Sequence, residues 1–307
     1  MISVQQISYI LAVVDAGNFS RAAEQCFVTQ PTLSMQVKKA EELLGFSLFH
    51  RDSPSLELTV FGEALIPLLR QIQSDFGAVE RLREEFSGTF KERIRIGIIP
   101  TITAYMLQDC FAEWQRLIPA TQLSIEELKT EELLGALEKR KIDLAILAGP
   151  IDSTNWRSVP LFTEEILAYA PAHADRTISV DELGELKPWL LSKGNCLRTQ
   201  MMHFCSLNEE SAAAWNYAGG NMDMLMRMVD SNGGYTLVPS NYRTIFPESG
   251  NSFKEITDSA GQSPGRSIIA VSSYRHANWD SMEKIIRSLQ LRYASENRKE
   301  LELLNWK

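Results

Sequence analysis

Apolar residues recur at helical spacing from the start of the chain. Val4, Ile7, Ile10, Leu11 and Val14 fall on one face and predict a helix over residues 4–16. Gly17-Asn18 breaks it, and Ser20 is a suitable cap for a second short helix carrying Ala22-Ala23. After a turn through Cys26-Phe27-Val28, Thr29 can cap a third helix. Pro31 falls in its first turn, where no backbone N–H is missed. That helix runs to about Leu44 and stops at Gly45. Two strand-like pieces, Ser47–Arg51 and Leu56–Thr59, flank Asp52-Ser53-Pro54-Ser55 and predict a hairpin. A long helical pattern then runs from about Thr59 to Phe86, with a seam through Leu65, Leu68, Leu69, Ile72, Phe76, Val79, Leu82 and Phe86. Such a helix spans about 42 Å. It either pairs with a copy of itself or forms the core of one domain. Pro67 kinks it or marks a frayed first part.

Beyond Ser87-Gly88-Thr89, read as a linker, strands and helices alternate. Strands are predicted at Ile94–Ile99, Gln122–Glu127 and Ile142–Leu147. Helices are predicted over 103–117 and from Thr130, where Glu131-Glu132 suit the positive end. This β-α-β rhythm implies a parallel sheet covered by helices. It resumes past residue 160. Ser179 with Glu182 makes a capping box, a helix covers 222–232, and Gly233-Gly234 ends it. Strands follow at Tyr235–Val238 and Ser267–Ser272, then a helix over about 278–295.

Composition adds bounds. With 307 residues and 44% apolar content, two or three globular domains are expected. Met1–Gln6 has no basic leader pattern, and no apolar run is long enough for a membrane span. The expectation is a cytoplasmic protein without membrane partners, whose four cysteines (Cys26, Cys110, Cys196, Cys205) are mostly thiols. Net charge is −8. Residues 1–60 carry Arg21, Lys38, Lys39 and Arg51 against Asp15, Glu24, Glu41, Glu42, Asp52 and Glu57. Charge alone therefore does not indicate nucleic acid.

Position does more. Ala22-Ala23 suits a close helix crossing, after which a tight turn presents the third helix outward. Its start carries Thr29, Gln30, Thr32, Ser34 and Gln36, which can donate to and accept from base edges. Lys38 and Arg51 are placed to meet phosphates. On pattern alone, a small helical bundle with polar loops remains open. No Walker loop, Gly-x-Ser-x-Gly elbow or zinc spacing appears, so neither enzyme, metal nor cofactor is expected. His50, His173, His203 and His276 are scattered, and Met222, Met224, Met226 and Met228 read as packing.

The runs Phe19–Glu24, Val28–Ser34 and Leu43–Arg51 resemble the signature of LysR-type transcription regulators. The resemblance implies an α/β architecture. Residues 1–60 form a winged helix-turn-helix and 61–88 a dimerising linker helix. An effector domain follows, with two Rossmann-like halves resembling periplasmic binding proteins. One half comprises 89–163 with 268–307 and the other 164–267, with crossings near Pro160–Thr163 and Gly265–Ser267. It also implies DNA contacts from Arg21, Thr29, Gln30, Pro31, Thr32, Ser34, Gln36, Lys38, Arg51 and Ser53. Implied partners are a double-stranded operator, RNA polymerase and further copies of the chain, as a dimer of dimers.

Cys196 and Cys205 bracket Leu-Arg-Thr-Gln-Met-Met-His-Phe. They are either buried small hydrophobes or a redox pair. In the second case a thiolate attacks peroxide, aided by Arg198, and the resulting sulfenic acid is captured by the second cysteine. If 196–205 is helical, the two lie about 13.5 Å apart along the axis and bridging must refold the segment. Gly194-x-Cys-Leu-Arg-x-Gln200 followed by Phe204-Cys205 resembles the redox loop of the peroxide-sensing OxyR group. Ile99-Pro100-Thr101 and Lys129-Thr130 resemble its other pocket segments. The resemblance implies Cys196 as peroxidatic and Cys205 as resolving residue. It implies a pocket of Thr101, Thr130, Asn195, Arg198 and Arg266, with resetting by cellular dithiols. Asn195 stands where histidine is common in that group, and Thr199 where an acid is familiar. Asn195 can hydrogen-bond peroxide but cannot shuttle a proton near neutral pH. The rival reading is a regulator responding to a small metabolite held between the two halves.

Overall fold

The computed structural model describes residues 1–50, 56–86, 92–151, 156–207, 221–258, 261–274, 276–295 and 301–304. The expected turn at 52–55 and linker at 87–89 lie outside them. The chain divides into two units, Met1–Phe90 and Lys91–Lys307.

In the first unit, α1 (Val4–Ala16) opens on a capping box: Ser3 Oγ accepts from the Gln6 N–H, and the Gln6 side chain accepts from the Ser3 N–H. Ile7, Ile10, Leu11 and Val13 are buried, whereas Val4 is exposed. The cap of α2 (Phe19–Gln25) is Asn18, not Ser20; its Oδ1 accepts from the Arg21 N–H at 2.7 Å. The αL turn at Gly17 leaves Asn18 extended and free to cap, which puts Ser20 inside the first turn. Ala22 and Ala23 are buried at the crossing. Helix α3 (Gln30–Leu44) is capped by Thr29, and Gly45 closes it at φ +78°.

Among the described residues of the wing, an antiparallel bridge pairs Phe49 with Leu58, flanked by bonds from His50 N to Glu57 O and Thr59 N to Leu48 O. The buried Glu41 of α3 holds it by accepting from the Leu48 N–H at 2.6 Å. Helix α4 (Val60–Phe86) keeps Pro67 inside it. A Cβ at Gly62 would come within 2.4 Å of the Leu48 carbonyl oxygen, so only glycine lets α4 start against the wing. Ile66 and Leu69 join the head core, and Arg70 pairs with Asp15 of α1 at 2.5 Å. Leu68, Ile72, Phe76 and Val79 remain exposed as an apolar stripe.

In the second unit, β1 (Arg93–Ile98) pairs in parallel with β2 (Gln122–Glu127) and β3 (Leu144–Ala148), joined through α5 (Pro100–Leu117) and α6 (Thr130–Glu138). The order β2-β1-β3 is the parallel core the rhythm implied. It is extended by antiparallel strands. The long β4 (Trp156–Tyr169) pairs with another long strand, Ser263–Ser273, which also pairs with β3. Past a register shift between Pro160 and Phe162, β4 continues into a second group of strands. There follow β5 (Thr177–Ser179), α7 (Val180–Gly184), α8 (Cys196–Phe204), α9 (Met222–Asn232), β6 (Thr236–Pro239), α10 (Tyr242–Ile245) and β7 (Phe253–Thr257). The end of β4 pairs with β6 and β7, and β5 runs parallel to β7. The long returning strand is β8 (Ser263–Ser273), followed by α11 (Trp279–Arg292) and β9 (Leu301–Leu303), which pairs in parallel with Ser263–Gly265. Both crossings are thus two long strands paired with each other.

The first group's end is fastened by Asp143. It accepts from the backbone and side chain of Arg95 and lies 3.1 Å from His276 Nε2.

Candidate functional site

The residues of interest converge where β4 and β8 pass between the two groups of strands. Glu164 and Arg266 are cross-strand partners and both side chains are wholly buried. Arg266 Nε donates to Glu164 Oε1 at 2.7 Å. Nη2 is 2.7 Å from the same oxygen, but at an angle that makes no hydrogen bond, and it has no other acceptor among the described residues. Nη1 donates to Thr101 Oγ1 at 3.0 Å and lies 4.0 Å from Cys196 Sγ. Burial works against the guanidinium's charge, but Glu164, foremost among neighbours that include Cys196 and Tyr105, helps outweigh it, and Arg266 is held above its ordinary range.

Local sequence explains these positions. Ile99 is extended and Pro100 opens α5, which places Thr101 in the first turn. Gly194 at φ +87° leads into Asn195 and then α8, whose first residue is Cys196. The sulfur therefore sits at the positive end of a nine-residue helix. Asn195 Nδ2 donates to the Ser192 carbonyl at 2.9 Å and to its hydroxyl at 3.0 Å. Thr130 is buried, and its hydroxyl oxygen has no partner among the described residues. Its neighbour Lys129 donates to the Lys193 carbonyl at 3.1 Å, which brings the two pocket segments together.

Arg198 is placed differently. Its Nη1 donates to the Leu191 carbonyl at 2.9 Å, and the guanidinium that reaches the Cys196 sulfur is Arg266. Residues 196–204 are helical, with Cys205 as the C-terminal cap. Cys205 is buried; burial pushes its thiol up to about 11, against a smaller opposing effect from the Tyr235 hydroxyl. Gln200, wholly buried in mid-helix, donates to the Leu304 carbonyl at 3.0 Å. Cys110 is likewise buried, its thiol raised to about 11 by desolvation first of all. Glu164 and Tyr105 were not anticipated. The available signal was two acids, Glu164-Glu165, followed directly by the apolar run Ile166–Ala168 in the same strand.

On the head, Arg21, Thr29, Gln30, Pro31, Thr32 and Lys38 are exposed, and Ser34 and Gln36 are half-buried. The Thr29 hydroxyl caps α3 and lies 2.8 Å from that of Thr32; Gln30 donates to Ser34 at 3.3 Å. Gln36 accepts from Gln6 at 3.4 Å, so it is partly engaged with α1. Arg51 and Ser53 lie outside the described residues. Two apolar side chains were missed here: Phe27, 95% exposed in the turn before α3, and Met35 on α3.

Residues 4–63 match the family model for the bacterial regulatory helix-turn-helix protein, lysR family, and residues 87–275 match the LysR substrate binding domain. The chain belongs to the LysR family. Relatives include the HTH-type transcriptional regulator EstR of Acinetobacter baylyi, 30% identical over 77% of this chain and 79% of that one. A hydrogen peroxide-inducible genes activator of Pectobacterium carotovorum is 31% identical over 78% and 80%. Among solved structures, a full-length OxyR variant of Pseudomonas aeruginosa superposes with TM-score 0.68 at 23% identity, covering 95% of this chain and 98% of that one. Reduced OxyR of Porphyromonas gingivalis gives 0.58 at 26% identity, covering 67% and 96%. The LysR fold, a helix-turn-helix head with a two-part α/β effector unit, is therefore shared. Among the described residues, no helix is long and apolar enough to cross a membrane and no cluster could hold a metal ion.

Proposed function

We propose that this LysR-family chain is a DNA-binding transcription regulator that responds to hydrogen peroxide through Cys196 and Cys205. The observation that carries the reading is a buried cysteine, at a helix start, facing a wholly buried guanidinium that a threonine hydroxyl also engages. The Cys196 thiolate attacks one peroxide oxygen and the O–O bond breaks. Cys196 becomes a sulfenic acid and hydroxide leaves, taking up a proton as water. The Cys205 sulfur, on losing its proton, attacks the sulfenic sulfur; the disulfide forms and a second water leaves. Peroxide is reduced by two electrons and the pair is oxidised by two, once per cycle rather than by turnover. Thr101, Thr130, Asn195 and Arg266 line the approach, with Arg198 bracing the 191–198 turn. Cellular dithiols reverse the bridge.

Geometry supplies the coupling. The cysteines stand at opposite ends of α8, about 13.5 Å apart along its axis, whereas a disulfide needs Cα atoms roughly 4.4–6.8 Å apart. Closing the bridge unwinds α8 and detaches Gln200 from Leu304. The effector halves, 89–163 with 268–307 and 164–267, then rearrange. The heads (1–60), joined in pairs through the linker helices (61–88), are re-spaced on the operator and present a changed surface to RNA polymerase. A tetramer of two such dimers, in the cytoplasm, is the working assembly.

A disulfide map by mass spectrometry before and after peroxide tests this. A Cys196–Cys205 bridge that appears with peroxide and is absent from Cys196→Ser is expected. A Cys196→Ser protein that still changes its operator binding with peroxide would sink the reading. The second reading is a small metabolite in the same seam, where the buried Thr130 hydroxyl and Arg266 Nη2 have no hydrogen-bond partner among the described residues. That reading expects no bridge and a ligand-dependent rise in thermal stability.

A further inference from the structure

The cation that reaches the Cys196 sulfur, Arg266, already has an anion. The groups around the guanidinium come from four elements. They are Glu164 of β4 at 2.7 Å, Thr101 and Tyr105 of α5, Cys196 of α8 at 4.0 Å, and Tyr242 of α10. Glu164 Oε2 accepts from the Tyr105 hydroxyl at 2.7 Å and from the Asn241 amide at 3.3 Å. The carboxylate is thus buried, paired and fully supplied with donors. When Cys196 ionises, two anions share the Arg266 guanidinium in a buried site.

The geometry points to Glu164 as the residue that sets how readily Cys196 ionises, by competing with the thiolate for Arg266. This rests on reading Cys196 as the reacting thiol. An opposite charge about 4–6 Å away favours the ionised form by roughly 1–3 pH units. Glu164 takes up part of that attraction permanently, so the thiolate receives only the remainder. Glu164 touches neither sulfur nor peroxide; it is a positioning residue that acts through Arg266. The donors on Oε2 moderate it. Each hydrogen bond from Tyr105 or Asn241 disperses carboxylate charge that would otherwise bear on Arg266.

This gives an unusual sign. Removing the carboxylate makes the thiol more reactive, and removing Tyr105's hydroxyl makes it less so. The test uses the full-length reduced protein, alkylated with iodoacetamide across about pH 5–10 and read at Cys196 by peptide mass spectrometry. The midpoint of that pH profile, unlike its plateau, does not depend on access to the buried sulfur. Glu164→Gln is expected to lower the midpoint by about one unit, roughly tenfold faster alkylation on the acid limb. An unchanged or raised midpoint in a folded Glu164→Gln protein overturns the proposal, as a merely structural role predicts lower thermal stability alone. Should Glu164→Gln not fold, Tyr105→Phe decides. A raised midpoint supports competition, and an unchanged or lowered one overturns it. Alkylation needs no peroxide, so the two readings can fail separately. A midpoint that moves as expected in a protein blind to peroxide would sink the sensor reading alone.

Discussion

Asp143 carries the clearest pH dependence of any single residue. Burial alone would raise its carboxyl, but hydrogen bonds from His276 and Arg95 outweigh it and hold the group at about 2, against 3.8 ordinarily. The folded value is the lower one, so the stabilisation is present above about pH 4 and is lost as pH falls toward 2. Urea unfolding should find Asp143→Asn less stable by about 2 kcal/mol at pH 7. The gap to the parent protein should close as the pH nears 2. At this scale the sequence was only partly legible. Cys196, Thr101 and Arg266 could be named, and they meet. Arg198 is nearer in sequence, but two positions along a helix point to different faces, and whether 196–204 was helical was not readable. Glu164 stayed hidden because its partners Tyr105, Asn241 and Arg266 lie 59, 77 and 102 residues away.

Among the elements, those with their own punctuation were legible. Thr29 and Gly45 bracket α3, and Ser179 with Glu182 opens α7, because caps act within four residues. In the wing, the described residues show the Phe49–Leu58 bridge stabilised by Glu41 from another element, a contact that no local pattern announces. The parallel strands β1, β2 and β3 followed from rhythm, whereas the antiparallel additions β4 and β8 depend on pairing across the whole unit. Helix α8 is where local propensity meets chemistry. It carries Thr199, a weak helix former, in its first half. Thr199→Ala should favour the helix by about 0.5 kcal/mol and slow bridge closure about twofold. Sulfenic acid formation should keep its rate. A dimedone-type trap followed over time separates the steps; equal slowing of both, or of neither, would contradict an unwinding step.

For the molecule as a whole, assembly and DNA binding follow from surfaces. The stripe of Leu68, Ile72, Phe76 and Val79 on α4 is exposed, Phe76 at 48%. Phe76→Glu should halve the sedimenting mass of the working assembly or reduce it further, while the monomer's helix content persists. An unchanged sedimentation profile would move the dimer contact elsewhere. Arg21, Lys38, Lys39 and Arg51 are the head's only cations through residue 60. The slope of log affinity against log salt should therefore be no steeper than about −4 per head. Base-edge and shape contacts must supply the rest, which a steeper slope would contradict. The tie between Gln200 and Leu304 adds a consequence in time. These residues are 104 apart, and Arg266 is 70 residues beyond Cys196. At about 5–20 residues per second, the ribosome delivers the guanidinium roughly 4–14 s after the cysteine, and β9 later still. Each newly made copy thus passes through an interval in which both thiols have been translated but the groups that govern them have not. A chain born during oxidative stress can be cross-linked before it has a resting state to leave.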